Sequence, residues 1–292
     1  MNEMRHLTSF APLAADYDGF ILDLWGVIHD GVTPYPGAVA CLAALRAAGK
    51  RVVLLSNAPR RAHVAQQALR GMGIEDALYT GIVTSGEATH RMLRDRADPW
   101  FAGLGNQVFH LGPERDRNVI DGLELTCVDD PISASFVLNT GPDDLHSATE
   151  LADHEAVLAA CQAAGLPMIC ANPDLEVMRG GTRVICAGAL TQRYEAMGGT
   201  ARWIGKPDPA IYAPVLAMLD LDPARVLAVG DALRTDIAGA TAAGLAACWV
   251  LGGIHAAELG CDPARIEAAA GAAGLSPIAC LPSFIWAKPA AG

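Results

Sequence analysis

The chain has 292 residues, 52 % of them apolar and 18 % charged, and its 32 acidic side chains against 21 basic ones give a formal net charge of −11. That apolar content excludes a disordered chain, and at ~100–200 residues per domain the length holds two domains or one large one. The acidic balance and the lack of a basic stripe argue against a nucleic-acid backbone as partner, so any anion must be held locally, by amides, a few cations or a metal.

In chain order, short apolar, β-branched runs alternate with Ala-, Leu- and Arg-rich segments of helical period. Residues 20–24 read as a buried strand, 37–48 as a helix closed by Gly49, 51–55 as a strand, 59–69 as a helix and 82–83 as a third strand. Residues 86–200 continue with more loop: strands at 107–111 and 134–138, a helix at 148–164, and a strand at 167–170. The tighter pattern then resumes with a strand at 203–204, a helix at 209–219, a strand at 225–229, a helix at 233–243 and a strand at 246–251. Fully apolar strands between amphipathic helices require a parallel sheet covered on both faces. The expectation is a doubly wound α/β core from residues 1–85 and 201–292, with 86–200 inserted as a smaller α/β domain over the strand ends. Functional residues belong at the C-terminal ends of core strands.

Eight cysteines, at 41, 127, 161, 170, 186, 248, 261 and 280, include no Cys-x-x-Cys, so zinc and redox spacings are absent and they read as small buried hydrophobes. No secretory signal is evident at the N-terminus and no uninterrupted apolar run of 18 residues occurs, which points to the cytoplasm and away from membranes.

Four places carry chemistry. Asp23 ends an apolar strand and is followed by Gly26; in such a sheet it points into the ligand crevice, although alone it also suits an ordinary turn. Ser56 and Asn57 open the next helix, where a hydroxyl and free amides hold a phosphate oxygen or simply cap the helix. Lys206, between Gly205 and Pro207, is fixed for charge neutralisation or is a surface loop cation. Asp231 and Asp236 run from a strand end into a helix start, suiting Mg²⁺ or helix capping. Elsewhere, Thr84-Ser85-Gly86 reads as the hinge into the insertion, Gly103-x-Gly105 as a loop, and His154-Glu155 as a solvated helix face, because Leu158 stands where a zinc-protease helix needs its second His. Arg60 and Arg61, opening the helix after Ser56, read as solvated surface arginines ahead of guides for an anion.

The ordered set of Asp23, Ser56, Lys206 and Asp231/Asp236, each at a strand end, resembles the four motifs of the haloacid dehalogenase-type (HAD) phosphohydrolases. The long insertion, with Ala171-Asn172-Pro173-Asp174 and Gly188-Ala189-Leu190, resembles the class IIA cap of the group containing nucleotide, sugar-phosphate and pyridoxal-phosphate phosphatases. The likeness runs from about Asp18 to Gly252. It implies Asp23 as a nucleophile forming an aspartyl-phosphate, Ser56 as a hydrogen bond to the phosphoryl group, and Lys206 as the neutralising cation. It also implies Mg²⁺ held by Asp23, Asp231 and the backbone carbonyl of Trp25, with Asp236 in support. Asn57, Asn172 and Asp174 would face the substrate, a small phosphorylated metabolite, and a homodimer through the cap would be in keeping.

One position departs from the family. Two residues after the nucleophile its phosphatases carry a second aspartate that protonates the leaving alcohol, and here that residue is Trp25. Three readings follow. Another group replaces the acid in a working phosphatase, with His29 and Asp30, just past the nucleophile strand, the candidates and His29 the first of them. The chain is a metal-independent 2-haloacid dehalogenase, whose relatives carry an aromatic residue at that position. Or it is a phosphate-binding regulatory protein that no longer turns over. The paired aspartates and the cap-like insertion favour the phosphatase.

Overall fold

Phe20, Ile21 and Leu22 are buried on both sides because helices cover both faces of their sheet. The computed structural model describes residues 4–254, 260 and 262–287. Its strands in chain order are β1 (Arg5–His6), β2 (Gly19–Leu22), β3 (Arg51–Ser56), β4 (Gly81–Thr84), β5 (Gln107–Leu111), β6 (Thr126–Cys127) and β7 (Phe136–Asn139). They continue with β8 (Met168–Cys170), β9 (Glu176–Arg179), β10 (Thr182–Ile185), β11 (Ala201–Trp203), β12 (Val226–Gly230), β13 (Ala246–Val250) and β14 (Ala279–Leu281).

Seven strands in the order β1-β14-β13-β12-β2-β3-β4 form an all-parallel sheet. Alternate residues face opposite ways. Phe20, Leu22, Val52, Leu54, Leu227 and Val229 pack under helices Ala11–Asp16, Ala38–Ala47 and Ala62–Gly71, while Ile21, Val53, Leu55, Val226 and Ala228 pack under helices Tyr212–Leu219 and Pro263–Ala272. This is the doubly wound α/β fold expected from the apolar runs. Residues between β4 and β12 supply a second parallel sheet, β11-β8-β7-β5-β6, with its own two apolar faces, and an antiparallel hairpin of β9 and β10. The strand at 203–204 was expected to belong to the core. Trp203 instead ends β11, which pairs with β8 as the edge of the second sheet, and Ile204 follows that strand.

Several boundaries moved for local reasons. The helix expected from 59 begins at Ala62, because Arg61 is extended. That at 148–164 begins at Glu155 after a tight turn over Leu151–His154, and His154 is buried with Nε2 near the carbonyl of Ser147, not on a solvated face. Thr84 caps helix Ser85–Asp95 as expected at the hinge, its Oγ1 accepting from Glu87 N at 3.0 Å. Seven cysteines are free and all but Cys127 are buried, whereas Cys261 lies outside the described residues. Among the described residues no helix is long and apolar enough to cross a membrane.

Candidate active site

Central strand β2 has β3 on one side and β12 on the other, and Leu22 pairs with Leu54 and with Val229. The residues just beyond these pairs, Asp23, Leu55 and Gly230, therefore stand level at the C-terminal edge. Chain order runs outward from β2 through β3 to β4, then resumes on the other side through β12, β13 and β14. The crevice between β2 and β12 is thus the switch point where doubly wound sheets bind ligands.

Asp23, Lys206, Asp231 and Asp236 converge there, 7 %, 3 %, 7 % and 6 % exposed. Lys206 Nζ donates to Asp23 Oδ1 at 2.6 Å, to Asp236 Oδ1 at 2.5 Å and to the Leu55 carbonyl at 3.3 Å. Asp236 Oδ2 accepts from Ala232 N at 3.0 Å, so both its oxygens are engaged. Asp231 Oδ2 accepts from Ile254 N at 2.8 Å. Oxygens of the three aspartates lie within 4.8 Å of one another.

Local backbone form makes this possible. Asp236 sits in a wide π turn, Leu233–Ile237, which swings its side chain back onto the strand end. A Cβ on Gly230 would lie 2.1 Å from the Asp236 Cβ, so only glycine admits that approach. Gly26, at φ +80°, takes the sharp turn after the nucleophile strand, and a Cβ there would meet an Asp231 oxygen at 2.0 Å.

Three buried carboxylates stand around one ammonium, which pairs with only two of them, Asp23 and Asp236. Burial raises the Asp23 carboxyl well above the usual range despite Lys206, and burial together with the charge of Asp236 pushes Asp231 up to about 8. Burial alone would lower the Lys206 ammonium, but Asp23 and Asp236 outweigh it and hold it well above its ordinary value. A divalent cation with oxygen ligands suits this excess of negative charge, and Asp23 and Asp231 line the same cavity.

The remaining expected residues divide. Ser56 is 1 % exposed at the end of β3, its Oγ accepting from Ala58 N at 3.2 Å. Asn57 was expected to face substrate, but its amide is committed to the protein. Nδ2 donates to Asp174 Oδ1 at 2.9 Å and to the Lys206 carbonyl at 3.1 Å, and Oδ1 accepts from Lys206 N at 2.8 Å. It fixes the lysine and ties the inserted layer to the core. Asp174 lines the carboxylate cavity, and Asn172 and Asp174 both line a neighbouring, larger one. His29 does not reach either cavity wall. It is buried, its Nδ1 accepts from Gly31 N at 2.9 Å, and its ring packs edge-on against Trp25 at 5.4 Å. Burial lowers it to about 4, leaving a neutral ring that holds the loop after β2. Trp25 separates the two cavities and lines both.

Arg60 and Arg61 are not solvated. Arg60 pairs with the buried Asp116 at 3.1 Å and Arg61 with Glu87 at 2.7 Å. Asp116, Arg115 and Arg179 also line the larger cavity. Arg115 and Asp116 lie in the 3-10 helix Glu114–Ile120 and Arg179 in the hairpin, where no periodicity or motif marks them.

Residues 20–126 match the family model of haloacid dehalogenase-like hydrolases, and residues 203–274 match a second, HAD-hydrolase-like model. The chain is 31 % identical over 256 residues to the D-glycerol 3-phosphate phosphatase of Mycobacterium tuberculosis, the match spanning 84 % of this chain and 66 % of that relative's length. It is 30 % identical over 249 residues to chronophin of Rattus norvegicus, covering 82 % and 78 % of the two chains. A solved haloacid dehalogenase-like hydrolase from Brucella suis superposes with a TM-score of 0.82 at 31 % identity, over 96 % of this chain and all of that one.

Proposed function

The chain belongs to the haloacid dehalogenase-like hydrolases and is a phosphatase of that family, and we propose that it hydrolyses a small phosphate monoester with Mg²⁺ through an aspartyl-phosphate on Asp23. The observation that carries this reading is the buried set of three aspartates, two of them paired with one lysine, at the switch point of the sheet. A carboxylate approaches a phosphate dianion only where fixed positive charge offsets the repulsion.

Asp23 attacks phosphorus with one carboxylate oxygen. Lys206 neutralises charge on Asp23 and on the incoming phosphoryl oxygens, and Ser56 Oγ–H donates to one of those oxygens. Asn57 holds Lys206 from both sides of its peptide group. Asp23, Asp231 and the backbone carbonyl of Trp25 would hold the cation, with Asp236 steering Lys206; when bound, it would withdraw charge from the phosphoryl group. The leaving group fills the larger cavity beyond Trp25. Cover by the inserted layer excludes water from the site, which strengthens these interactions.

The test is release of inorganic phosphate from p-nitrophenyl phosphate and acetyl phosphate, with Mg²⁺ and with EDTA. Metal-dependent release that disappears in Asp23→Asn supports the reading. Retained release in that variant removes Asp23 as nucleophile, and chloride release from 2-haloacids without metal would replace the phosphatase by a dehalogenase.

A further inference from the structure

We propose that Asp174, carried by the inserted layer, is the general acid and base of the reaction, standing in for the aspartate whose place Trp25 occupies; this rests on the phosphatase reading above. An alkoxide leaving group needs a proton, and an indole has none to give at neutral pH.

The carboxylate cavity offers few titratable groups. Asp231 and Asp236 are engaged by Ile254 N, Ala232 N and Lys206, and Lys206 is shared between two aspartates. Glu176 pairs with Arg183. Asp174 differs: its Oδ1 accepts from Asn57 Nδ2 at 2.9 Å, and among the described residues Oδ2 has no hydrogen-bond partner.

Its position is the stronger argument. The phosphoryl group must lie against Asp23 in the first cavity and the leaving group in the second, so the scissile oxygen sits where the two meet. Trp25, Asp174 and Val177 are the residues common to both walls, and only Asp174 among them exchanges a proton. The backbone that carries the carboxyl is also held at both its N–H and its carbonyl. Asp174 N donates to Asn172 Oδ1 at 3.0 Å, and Asp174 O accepts from Gly188 N at 3.0 Å. Asn57 links the acid to Lys206 through one amide. Burial raises the proton affinity of Asp174 against the opposing pull of Lys206.

In the first half-reaction Asp23 Oδ bonds to phosphorus, the P–O bond to the leaving group breaks, and the Asp174 proton passes to the departing oxygen. In the second, the Asp174 carboxylate takes a proton from water as the water oxygen bonds to phosphorus. The Asp23–phosphorus bond then breaks, releasing inorganic phosphate, a free Asp23 carboxylate and a protonated Asp174. Water enters from the side the alcohol left, so one carboxyl serves both steps. With the acid on the inserted layer, proton transfer occurs only while that layer is docked on the core.

The experiment compares p-nitrophenyl, phenyl and ethyl phosphates with wild type, Asp23→Asn and Asp174→Asn. The asparagine keeps the oxygen that accepts from Asn57. For Asp174→Asn we expect kcat/KM to fall by ~10²–10⁴ on ethyl and phenyl phosphate and by no more than about tenfold on p-nitrophenyl phosphate, whose leaving group needs no proton. A burst of one nitrophenolate per active site should precede slow turnover, because dephosphorylation has lost its base. Asp174→Ala gives an independent reading: added formate should restore its ethyl phosphate activity. Equal losses on all three esters with no burst and no rescue would overturn the role of Asp174 and leave the phosphatase reading standing, provided that Asp23→Asn is inactive. A wild type inactive on every ester would overturn both.

Discussion

Replacing Asp231 with asparagine should make the metal-free protein more stable while destroying its activity. The aspartate is 7 % exposed, beside Asp23 and Asp236, and burial with the Asp236 charge pushes its carboxyl up to about 8 from an ordinary 3.8. A carboxyl raised in the folded state binds its proton there while the unfolded chain has released it. Its contribution is therefore fully present below the unfolded value and lost as pH rises through the folded one. At ~1.4 kcal/mol per pH unit, the loss by pH 7 is about 4 kcal/mol. Asparagine behaves as the permanently neutral form, and its carbonyl can still accept from Ile254 N. Melting in EDTA should then show Asp231→Asn about 10 °C above wild type near pH 7, at ~2–4 °C per kcal/mol for a chain of this size. The gap should close below pH 4 and level off above pH 8. Added Mg²⁺ should raise the wild-type melting temperature and leave the variant's unchanged, since ligand binding stabilises only a competent site. A variant that melts below wild type at pH 8 in EDTA, or a gap independent of pH, would refute this reasoning.

Three further substitutions probe the same framework. Lys206→Met removes the ammonium shared by Asp23 and Asp236 and should cost about 3–5 kcal/mol in urea unfolding, because uncompensated buried charge remains; turnover should fall by ~10²-fold or more. Asn57→Ala leaves Lys206 N–H unpaired and frees Asp174, so stability should drop by ~1–3 kcal/mol and kcat by more than KM changes. Trp25→Asp should bring no increase in kcat, since Asp174 supplies the proton; loss of the ring from His29 and Gly31 should destabilise the fold by about 3 kcal/mol. A faster Trp25→Asp enzyme would contradict the assignment of Asp174.

Much of this was legible in the residues because parallel strands buried on both faces leave unbroken apolar runs. The runs ending before Asp23, at Ser56 and before Asp231 each stop at a polar residue, and in such a sheet those stops share one edge. Lys206 was legible for another reason: glycine and proline on either side mark a constrained loop. What the sequence hid was tertiary. The Asn57 amide reads equally as a ligand or a clamp until Lys206 and Asp174, 149 and 117 positions away, are seen around it. His29 follows the nucleophile strand closely, yet the loop turns its ring onto Trp25. The β9–β10 hairpin and the edge strands are short and carry little periodicity, and Asp116 lies in a short 3-10 helix whose partner Arg60 comes from the core. The strand of residues 201–203 is short enough that only its pairing with β8 shows which sheet it joins.

The account stands most directly on covalent capture at Asp23. Acid quenching during turnover of labelled acetyl phosphate, followed by peptide mapping, should place one phosphoryl group on the peptide bearing Asp23 and none on Asp23→Asn. Label on a peptide bearing another residue, or turnover with no labelled protein at any quench time, would contradict it.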